Sequence, residues 1–364
     1  MTTTVLEMLA DIDRPRPVAV LRQPQLVLLG TGTVGRALVA RYRRLRDRCP
    51  ELPRLALIAN SRDAQACSAD VEAILHIVES SLRQRDTVRF DPAAFLRNDI
   101  VIDATASDHV AARHAGWLAR GVHVVTANKL GTGGELVRAQ AIACARASSG
   151  AYYGDSATVG AGLPVLRSLR ELIRGGDHIE AVEGILSGSL AWLFNRYDGM
   201  RPFSSFVREA RDAGYSEPDP RIDLSGEDVR RKLLILARAA GLPLEAGQVQ
   251  VDSLVPKALS DASINNLDAQ LPLLDAPLRE RFQQADRDGA RLRFIGSFDA
   301  HGATVGLRAL PAAHPLCAGS GTDNRVAITS CRYREQPLVI QGPGAGAEVT
   351  AAALLDDVLR VAHR

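Results

Sequence analysis

Short, continuous apolar runs alternate with helical patterns along the first part of the chain. The runs occupy positions 26–29, 55–59, 100–102 and 122–125. Between the first two, apolar residues at 34, 37, 38, 42 and 45 recur at helical spacing, and a helix-like stretch separates the last two. Strands that are apolar on both faces belong to parallel sheets covered by helices on both sides. The pattern therefore predicts an α/β domain with a Rossmann-type, doubly wound parallel sheet over residues 25–150.

The pattern changes after position 150. Helical spacing dominates positions 164–240, apart from an apolar run at 179–186, and strand patterns follow at 291–298, 303–309, 325–329 and 338–340. This mixture predicts a second, α+β domain over residues 151–340. The helical pattern at 349–362 lies in a C-terminal segment, 341–364, that we expect to return to the first domain. Residues 1–24 form an N-terminal extension.

Composition and charge are typical of a globular protein in a reducing compartment. The 364 residues are 46% hydrophobic and 24% charged, and the formal net charge of +2 provides no electrostatic basis for binding nucleic acid or a membrane surface. The arginine-rich run 41–48 is interpreted as the solvated face of a helix.

The cysteines and histidines lack the patterns of disulfide or metal sites. Five scattered cysteines without a CxxC pair, and eight histidines without ligand spacing, argue against disulfides and a catalytic metal. Without a signal-peptide pattern or an apolar run long enough to span a bilayer, the sequence predicts a cytoplasmic protein.

A glycine-rich turn joins the first predicted strand to the first predicted helix. Gly30, Gly32 and Gly35 form G-x-G-x-x-G in LVLLGTGTVGRALVA, and Thr33 and Val34 lie inside the motif. The first glycine permits a tight turn, the second lets the backbone approach a pyrophosphate, and the third lets the helix pack closely on the strand. Because the free N–H groups of the helix then face the phosphates, the motif predicts a dinucleotide site.

The residues after the second predicted strand bear on the choice of coenzyme. An NAD enzyme usually has an acid there that bonds the ribose hydroxyls, but this chain reads Ala59-Asn60-Ser61-Arg62. Asn60 and Arg62 suit a 2′-phosphate instead, since the arginine fork matches phosphate oxygens. We therefore expect NADP to be favoured, with NAD remaining possible.

The segment GYSEPDPRIDLSGEDVRRK, positions 214–232, places five carboxylates before one lysine. Part of it is ordinary helix chemistry, with Ser225 as an N-cap, Asp228 at the third helical position and an ion pair between Asp228 and Lys232. That interpretation leaves Glu217 and Asp223 unexplained, and it places Lys232 beside an apolar stretch that would lower the lysine pKa. A lysine of lowered pKa can exchange a proton with a hydroxyl, and carboxylates can bind an ammonium. Together these groups point to an oxidoreductase whose substrate is an amino acid that carries a hydroxyl.

Seven motifs follow one another along the chain from about residue 25 to its end. They are GTGTVG, IDATAS (102–107), VVTANK (124–129), TVGAGLPV (158–165), GDHIEAVEGILSGSL (176–190), the segment 214–238 and QGPGAGAEVTAA (341–352). In this order they resemble the homoserine dehydrogenases, and most of all the dehydrogenase half of the bifunctional aspartokinase–homoserine dehydrogenases. The resemblance implies NAD(P)-dependent interconversion of L-homoserine and L-aspartate 4-semialdehyde in threonine, methionine and isoleucine biosynthesis. It also implies a homodimer joined through the second domain, which is the catalytic domain in this family.

The resemblance further implies roles for single residues. Lys232 matches the family's general acid/base, Asp228 the carboxylate needed beside it, and Lys129 a lysine near the reacting carbon and the cofactor. Glu217 and Asp223 match the residues that hold the substrate's amino group, and Gly184 lies in a substrate-binding motif. Besides the glycine loop, the resemblance places Thr105, Gly344 and Gly346 along the cofactor. Backbone carbonyls that match a monovalent-cation site are those of Val159, Ala161 and Leu163.

Two departures concern the cation and regulation. Ser156 stands where the family usually has Glu or Asp, and Asp155 stands one place earlier, so the cation is expected only as a possibility. No aspartokinase segment precedes the motifs and no regulatory domain follows them, so we do not expect feedback by threonine through such a domain.

Two other functions remain open. A phosphorylating semialdehyde dehydrogenase has a similar architecture but needs a nucleophilic cysteine beside a base. Its candidates are Cys144, in a helical pattern, and Cys317, in a loop. The second alternative is an inactive paralogue that only binds NADP, although an intact set of acids around Lys232 argues against it.

Overall fold

The first half of the chain forms a six-stranded sheet. The structure is a computed structural model that describes residues 22–68, 70–82 and 95–364, so most of the predicted extension 1–24 lies outside the described residues. The strands are β1 (Gln25–Leu29), β2 (Arg54–Ala59), β3 (Ala64–Ala66), β4 (Ile100–Asp103), β5 (His123–Thr126) and β6 (Tyr153–Gly154). The helices are α1 (Thr33–Arg46), α2 (Val71–Ser80), α3 (Asp108–Ala111), α4 (His114–Ala119), α5 (Leu130–Gly133) and α6 (Leu136–Ser149).

The strand order places a crevice beside β1. The order is β3-β2-β1-β4-β5-β6, in which β3 is an antiparallel edge strand and the other neighbours are parallel. The chain winds from β1 outward through β2 and β3, and then returns to the other side of β1 with β4. Open α/β sheets bind their ligands at such a switch point, outside the carboxyl ends of the strands.

The second half forms another six-stranded sheet with helices. Its strands are β7 (Ile179–Ile185), β8 (Val249–Val251), β9 (Ala290–Asp299), β10 (Gly302–Pro311), β11 (Asp323–Ser330) and β12 (Leu338–Pro343). The order is β12-β11-β7-β9-β10-β8, antiparallel except between β8 and β10. The helices are α7 (Val165–Arg174), α8 (Gly188–Arg196), α9 (Phe203–Asp212), α10 (Arg221–Leu224), α11 (Glu227–Ala239), α12 (Lys257–Ser260), α13 (Leu267–Gln270) and α14 (Asp275–Arg287). Short 3₁₀ turns occupy Ser156–Thr158, Ala246–Gln248, Ile264–Asn266, Leu271–Leu274 and Pro315–Cys317.

A last helix, α15 (Ala347–Ala362), runs from the second sheet back to the first domain. Its buried Leu354 and Val358 share a core with α1 and with Leu26 and Leu28 of β1. The intervening residues of β1, including Val27, face a second core formed with α4 and α6. The first sheet is therefore covered on both faces, and α15 supplies part of the cover.

The predicted fold class, a doubly wound α/β domain with an α+β domain, is confirmed. Along the described ranges, no helix is both long and apolar enough to cross a membrane.

The predicted N-cap at Ser225 is wrong. Helix α11 begins at Glu227 and its N-cap is Gly226, with φ of +78°, so Asp228 is the second helical residue. The physical reason is the short helix α10, which ends at Leu224 and leaves only Ser225 and Gly226 for the turn into α11. A left-handed residue makes that turn, and glycine adopts this conformation without steric cost.

Candidate active site

The glycine loop has the geometry that a pyrophosphate site requires. Gly30, directly after β1, has φ of +104°, and a Cβ there would lie 2.8 Å from the carbonyl oxygen of Ala104, which follows β4. A Cβ on Gly35 would lie 2.0 Å from the carbonyl oxygen of Gly30. Side chains at these two positions are therefore excluded by the backbone itself.

The N-terminus of α1 is open to a ligand. Its N-cap is Gly32, no side chain caps it, and its first turn, beginning with Thr33 and Val34, contains no acid. A Cβ on Gly32 would meet nothing within 4 Å. Helix N–H groups without a protein partner beside open space form an anion site. These residues thus fit the pyrophosphate of a dinucleotide.

The loop after β2 is shaped by Asn60. Its amide nitrogen donates to Thr31 Oγ1 and to the carbonyl of Val78, and its Oδ1 accepts from the backbone N–H groups of Arg62 and Asp63. Because these bonds engage both donors and both lone pairs of the amide, the structure assigns Asn60 to the loop itself. The Arg62 guanidinium donates to the carbonyl oxygen of Glu79 at 3.0 Å and retains further N–H groups for a ligand.

A buried carboxylate organises the loops after β4 and β5. Asp103 is fully buried at the end of β4. Its Oδ1 accepts from the backbone N–H and the hydroxyl of Thr105 at 2.9 and 2.6 Å, and its Oδ2 lies 3.0 Å from both Asn128 Nδ2 and His114 Nε2. Asn128 precedes Lys129, so this network holds Thr105 and Lys129 in place. The sequence analysis missed Asp103, although an acid that ends an otherwise apolar strand is a recognisable signal.

Two lysines share one carboxylate. Lys232 and Asp228 lie one turn apart on α11, and their Nζ and Oδ2 atoms are 2.8 Å apart. Lys129, at the start of α5, approaches Asp228 Oδ1 at 3.4 Å. Lys232 Nζ also donates to the carbonyl oxygen of Leu186 at 2.7 Å. The predicted ion pair between Asp228 and Lys232 is present, and Lys129 extends it into a row of three charges.

The environment sets the protonation of this row. Burial lowers the pKa of Lys232, against the opposing charge of Asp228, and repulsion from Lys129 lowers it further. Partial burial acts to raise the pKa of the Asp228 carboxyl, but Lys232 and Lys129 outweigh burial and hold that pKa at about 2. Asp228 thus stays ionised, while Lys232 gives up its proton more readily than an exposed lysine.

The second predicted acid pair lies close to this row. Asp223, on α10, accepts from the hydroxyl of Ser189 at 2.7 Å and from the backbone N–H of Glu217 at 2.9 Å. Its negative charge acts to raise the pKa of Lys232. Glu217 is exposed in the loop beside Asp223. The two candidate ammonium ligands are therefore joined by a hydrogen bond, with Asp223 on α10 and Glu217 in the loop before it.

The carbonyl of Leu186 has a second partner that the sequence analysis did not find. Asn324, buried on β11, points its Nδ2 at this oxygen from 3.4 Å. A Cβ on Gly344 would lie 2.0 Å from Asn324 Cγ, which explains the glycine in that motif. Gly184, two residues before Leu186, pairs across the sheet with Val326. Gly346 is the N-cap of α15, where a Cβ would meet nothing within 4 Å.

The segment with the predicted cation carbonyls follows β6. Val159 is buried, Ala161 has φ of +49°, and the carbonyl of Leu163 accepts from the N–H of Val165. Asp155 is bound by the Arg170 guanidinium through bonds of 2.5 and 2.7 Å. Ser156 bonds Asp357 of α15 through its backbone N–H and its hydroxyl. In the described ranges, no cluster of three or more His, Cys, Asp or Glu side chains suits a metal ion.

The two cysteines of the alternative dehydrogenase do not suit a nucleophile. Cys317 is buried, and burial raises the pKa of its thiol, which disfavours the reactive thiolate. Cys144 lies exposed on α6, outside the row of Lys129, Asp228 and Lys232. The alternative is therefore not favoured.

Comparisons with known proteins identify the family. The homoserine dehydrogenase family model matches residues 164–359, and the model of the homoserine dehydrogenase NAD binding domain matches residues 30–153. A chloroplastic bifunctional aspartokinase/homoserine dehydrogenase of Zea mays is 44% identical over 268 residues, which are 73% of this chain and 29% of that protein. The homoserine dehydrogenase of Schizosaccharomyces pombe is 39% identical over 72% of each chain.

A solved structure agrees with these matches. The putative homoserine dehydrogenase of Archaeoglobus fulgidus has a TM-score of 0.76 and 26% identity, over 93% of this chain and 99% of that chain. The chain spans about 29% of the length of the plant bifunctional relative, so its resemblance to that protein concerns the dehydrogenase part. The chain belongs to the homoserine dehydrogenase family.

Proposed function

We propose that this protein is an NAD(P)-dependent homoserine dehydrogenase that interconverts L-homoserine and L-aspartate 4-semialdehyde. The observation that carries the proposal is the buried Lys232, held by Asp228 and the carbonyl of Leu186, next to acids that suit an amino-acid ammonium. The cradle of Gly30, Gly32 and Gly35 fits a dinucleotide, which when bound accepts a hydride from the carbinol carbon.

The chain's own groups account for the proton. In the oxidative direction, neutral Lys232 takes the hydroxyl proton of homoserine as the carbonyl forms, and the lysine becomes an ammonium. Asp228 then stabilises the new charge, and the Leu186 carbonyl keeps Nζ oriented. In the reverse direction the ammonium returns the proton. Lys129, which pairs with the same carboxylate, favours negative charge on the reacting oxygen.

The other acids orient the substrate. Asp223 and Glu217 bind the α-ammonium, and the bonds from Ser189 and the Glu217 backbone keep the Asp223 carboxylate in place. A spectrophotometric assay tests the whole proposal by following the absorbance of reduced coenzyme with homoserine and NADP, and then with NAD. An enzyme that binds NADP but oxidises no homoserine would favour the inactive paralogue.

Coenzyme preference follows from the loop after β2. We expect higher kcat/KM with NADP than with NAD, because Asn60-Ser61-Arg62 offers a cation and no acid at the ribose end of the site. Arg62→Ala should narrow the ratio of the two kcat/KM values with little change in turnover at saturation. Arg43→Ala, an exposed arginine on α1, is the control. An unchanged ratio in the Arg62 variant would remove Arg62 from the 2′-phosphate site.

In homoserine oxidation, the dependence of kcat/KM on pH should contain a rising limb whose position is set by the pKa of Lys232. The neutral lysine is the reactive form, so kcat/KM should rise with pH through its pKa, which burial has lowered from 10.5. Aldehyde reduction needs the protonated form of Lys232, so kcat/KM in that direction should fall over the same pH range. Asp228→Asn removes a negative charge that favours the ammonium, and should therefore move both limbs to lower pH.

The control for this shift is Glu227→Gln, which alters an exposed neighbour paired with Arg230 and should leave the limbs in place. Limbs that move upward in Asp228→Asn, or do not move, would contradict the assigned coupling.

A monovalent cation on the carbonyls of Val159, Ala161 and Leu163 also belongs to the proposal. Ala161 is held in a left-handed conformation, and a carbonyl such as that of Leu163 has a second lone pair free for an ion. Turnover at constant ionic strength should therefore differ between Na⁺, K⁺ and the bulky choline cation. Equal rates in all three salts would count against the site.

The proposal also covers the oligomeric state and the cellular compartment. We expect a cytoplasmic homodimer joined through the second domain, supported by the family resemblance and by five cysteines that form no disulfide among the described residues. Sedimentation equilibrium would measure the number of subunits.

A further inference from the structure

Six arginines line one cavity at the junction of the two domains. The cavity has a volume of about 440 Å³. The arginines come from α6, from α7 and from the end of the chain: Arg146, Arg167, Arg170, Arg174, Arg360 and Arg364. We call this feature the arginine cleft. No residue of the glycine loop or of the row around Lys232 lines it.

Only part of this positive charge is balanced. Arg170 forms an ion pair with Asp155, and Arg360 forms one with Asp357 at 2.6 Å. Arg364 lies over the ring of Tyr152 at 4.7 Å. Neither of these aspartates lines the cavity, whose lining contains one acid, Glu171.

Three arginines of the cleft have no partner among the described residues. Within the described part of the chain, the guanidinium groups of Arg146, Arg167 and Arg174 have neither an ion pair nor a hydrogen bond. Restricted hydration lowers the pKa of the Arg146 guanidinium, and repulsion from Arg170 and Arg174 adds to this effect. A cluster of like charges that repel one another is a place where an anion binds favourably.

An ordinary solvated helix face is the simpler interpretation, but the placement argues against it. Positions 167, 170 and 174 lie three and four residues apart, so these side chains share one face of α7. That face lines the same cavity as Arg146 of the other domain. A second cavity of about 320 Å³ is also lined by Arg146, Arg170 and Arg174.

We propose that the arginine cleft binds a small molecule that carries two or more phosphate groups. Guanidinium forks match phosphate oxygens bidentately, and several unpaired forks suit more than one phosphate. The volume is that of a metabolite site rather than of a surface for a macromolecule. Because the arginines belong to both domains, the bound anion links α7 to α6 and to the end of α15.

Inorganic tripolyphosphate is the probe, measured by isothermal titration calorimetry at constant ionic strength, because salt screens exposed charges. We expect saturable binding of about one equivalent per chain. The double variant Arg167→Gln/Arg174→Gln should weaken affinity about tenfold or more, since it removes two charge-assisted contacts. Both side chains are exposed, so the variant is expected to fold, and its thermal midpoint without ligand checks this.

The matched control is Arg279→Gln/Arg308→Gln, which removes the same charge from exposed positions outside the cleft. Its affinity should stay within about twofold of the parent. Glu171→Gln should instead tighten binding, because it removes a negative charge from the lining.

Absence of saturable binding would overturn the proposal. Binding that the Arg167/Arg174 variant leaves unchanged would overturn it as well, since the probe would then sit elsewhere, for example on the glycine loop. Equal weakening by the control variant would reduce the effect to net charge and would also count against the cleft. None of these measurements requires substrate or turnover, so their outcome is independent of the proposed dehydrogenase activity.

Discussion

Replacement of Lys232 by alanine should lower kcat for homoserine oxidation by about 10²–10⁴-fold, the usual contribution of a positioned acid or base. The lysine is buried, its Nζ is held 2.7 Å from the Leu186 carbonyl, and burial lowers its pKa. These features suit a group that alternates between ammonium and amine. Binding of NADP should persist, because the glycine loop belongs to another domain. Coenzyme binding by fluorescence and kcat by absorbance measure the two properties separately.

Lys232→Arg separates proton transfer from charge. Arginine keeps a cation beside Asp228 but does not deprotonate in this pH range, so this variant should be nearly as impaired as the alanine variant. Arg230→Ala is the matched control, since Arg230 lies on the same helix and pairs with Glu227 at its surface. Near-normal kcat in Lys232→Arg would show that only the positive charge matters, and near-normal kcat in Lys232→Ala would return the lysine to a structural role.

Replacement of Asp223 by alanine should lower kcat/KM for homoserine by about 10–100-fold, the range expected for loss of a hydrogen bond to a charged group. Most of the loss should appear as a higher KM, because the α-ammonium is bound alike in the ground state and the transition state. Glu217→Ala should raise KM by a smaller factor, since Glu217 is exposed. Initial-rate kinetics with varied homoserine at saturating NADP distinguish the two parameters.

Asp223 also accepts two hydrogen bonds within the protein, so a structural effect needs its own control. Ser189→Ala removes one of these bonds, of 2.7 Å, and leaves the carboxylate charge in place, so its effect on KM should be well below that of Asp223→Ala. Glu227→Ala, a surface acid next to Asp228, should leave KM unchanged. A fall in kcat with KM unaltered in Asp223→Ala would contradict its assignment to the ammonium.

The parts that local pattern determines were predictable. The strand–glycine–helix unit at Gly30, Gly32 and Gly35 follows from backbone sterics and from hydrophobic spacing, both of which act over a few residues. The pair of Asp228 and Lys232 follows from helical periodicity, and it is present at 2.8 Å. The Ser225 N-cap failed for a related reason, because the choice between Ser225 and Gly226 depends on where the preceding helix α10 ends.

Contacts between distant segments were not predictable from one sequence. The contact of Asn60 with the coenzyme stays a prediction, and the hydrogen bonds of its amide to Thr31 and Val78 were not foreseen from the sequence. Asp103 forms hydrogen bonds with Thr105, His114 and Asn128, which lie in three separate segments. Their spacing in the sequence does not predict these contacts. Side chains choose partners by proximity in space, and proximity is set by how the strands and helices pack.

The sequence by itself determined the fold class, most of the strands, the glycine turn, the family and the acids and lysine of segment 214–232, but it missed the short strands β3, β6 and β8. These depend on local conformational preference, on the period of apolar residues and on motifs that are contiguous in the chain. Tertiary structure alone decided that the carbonyl of Leu186 holds Lys232, that Lys129 joins Asp228 from the other domain, and that arginines of α6, α7 and α15 face one cavity. The physical reason is that hydrogen bonds and Coulomb interactions in a protein act over a few ångströms, and only the packing of both sheets brings these groups within that distance.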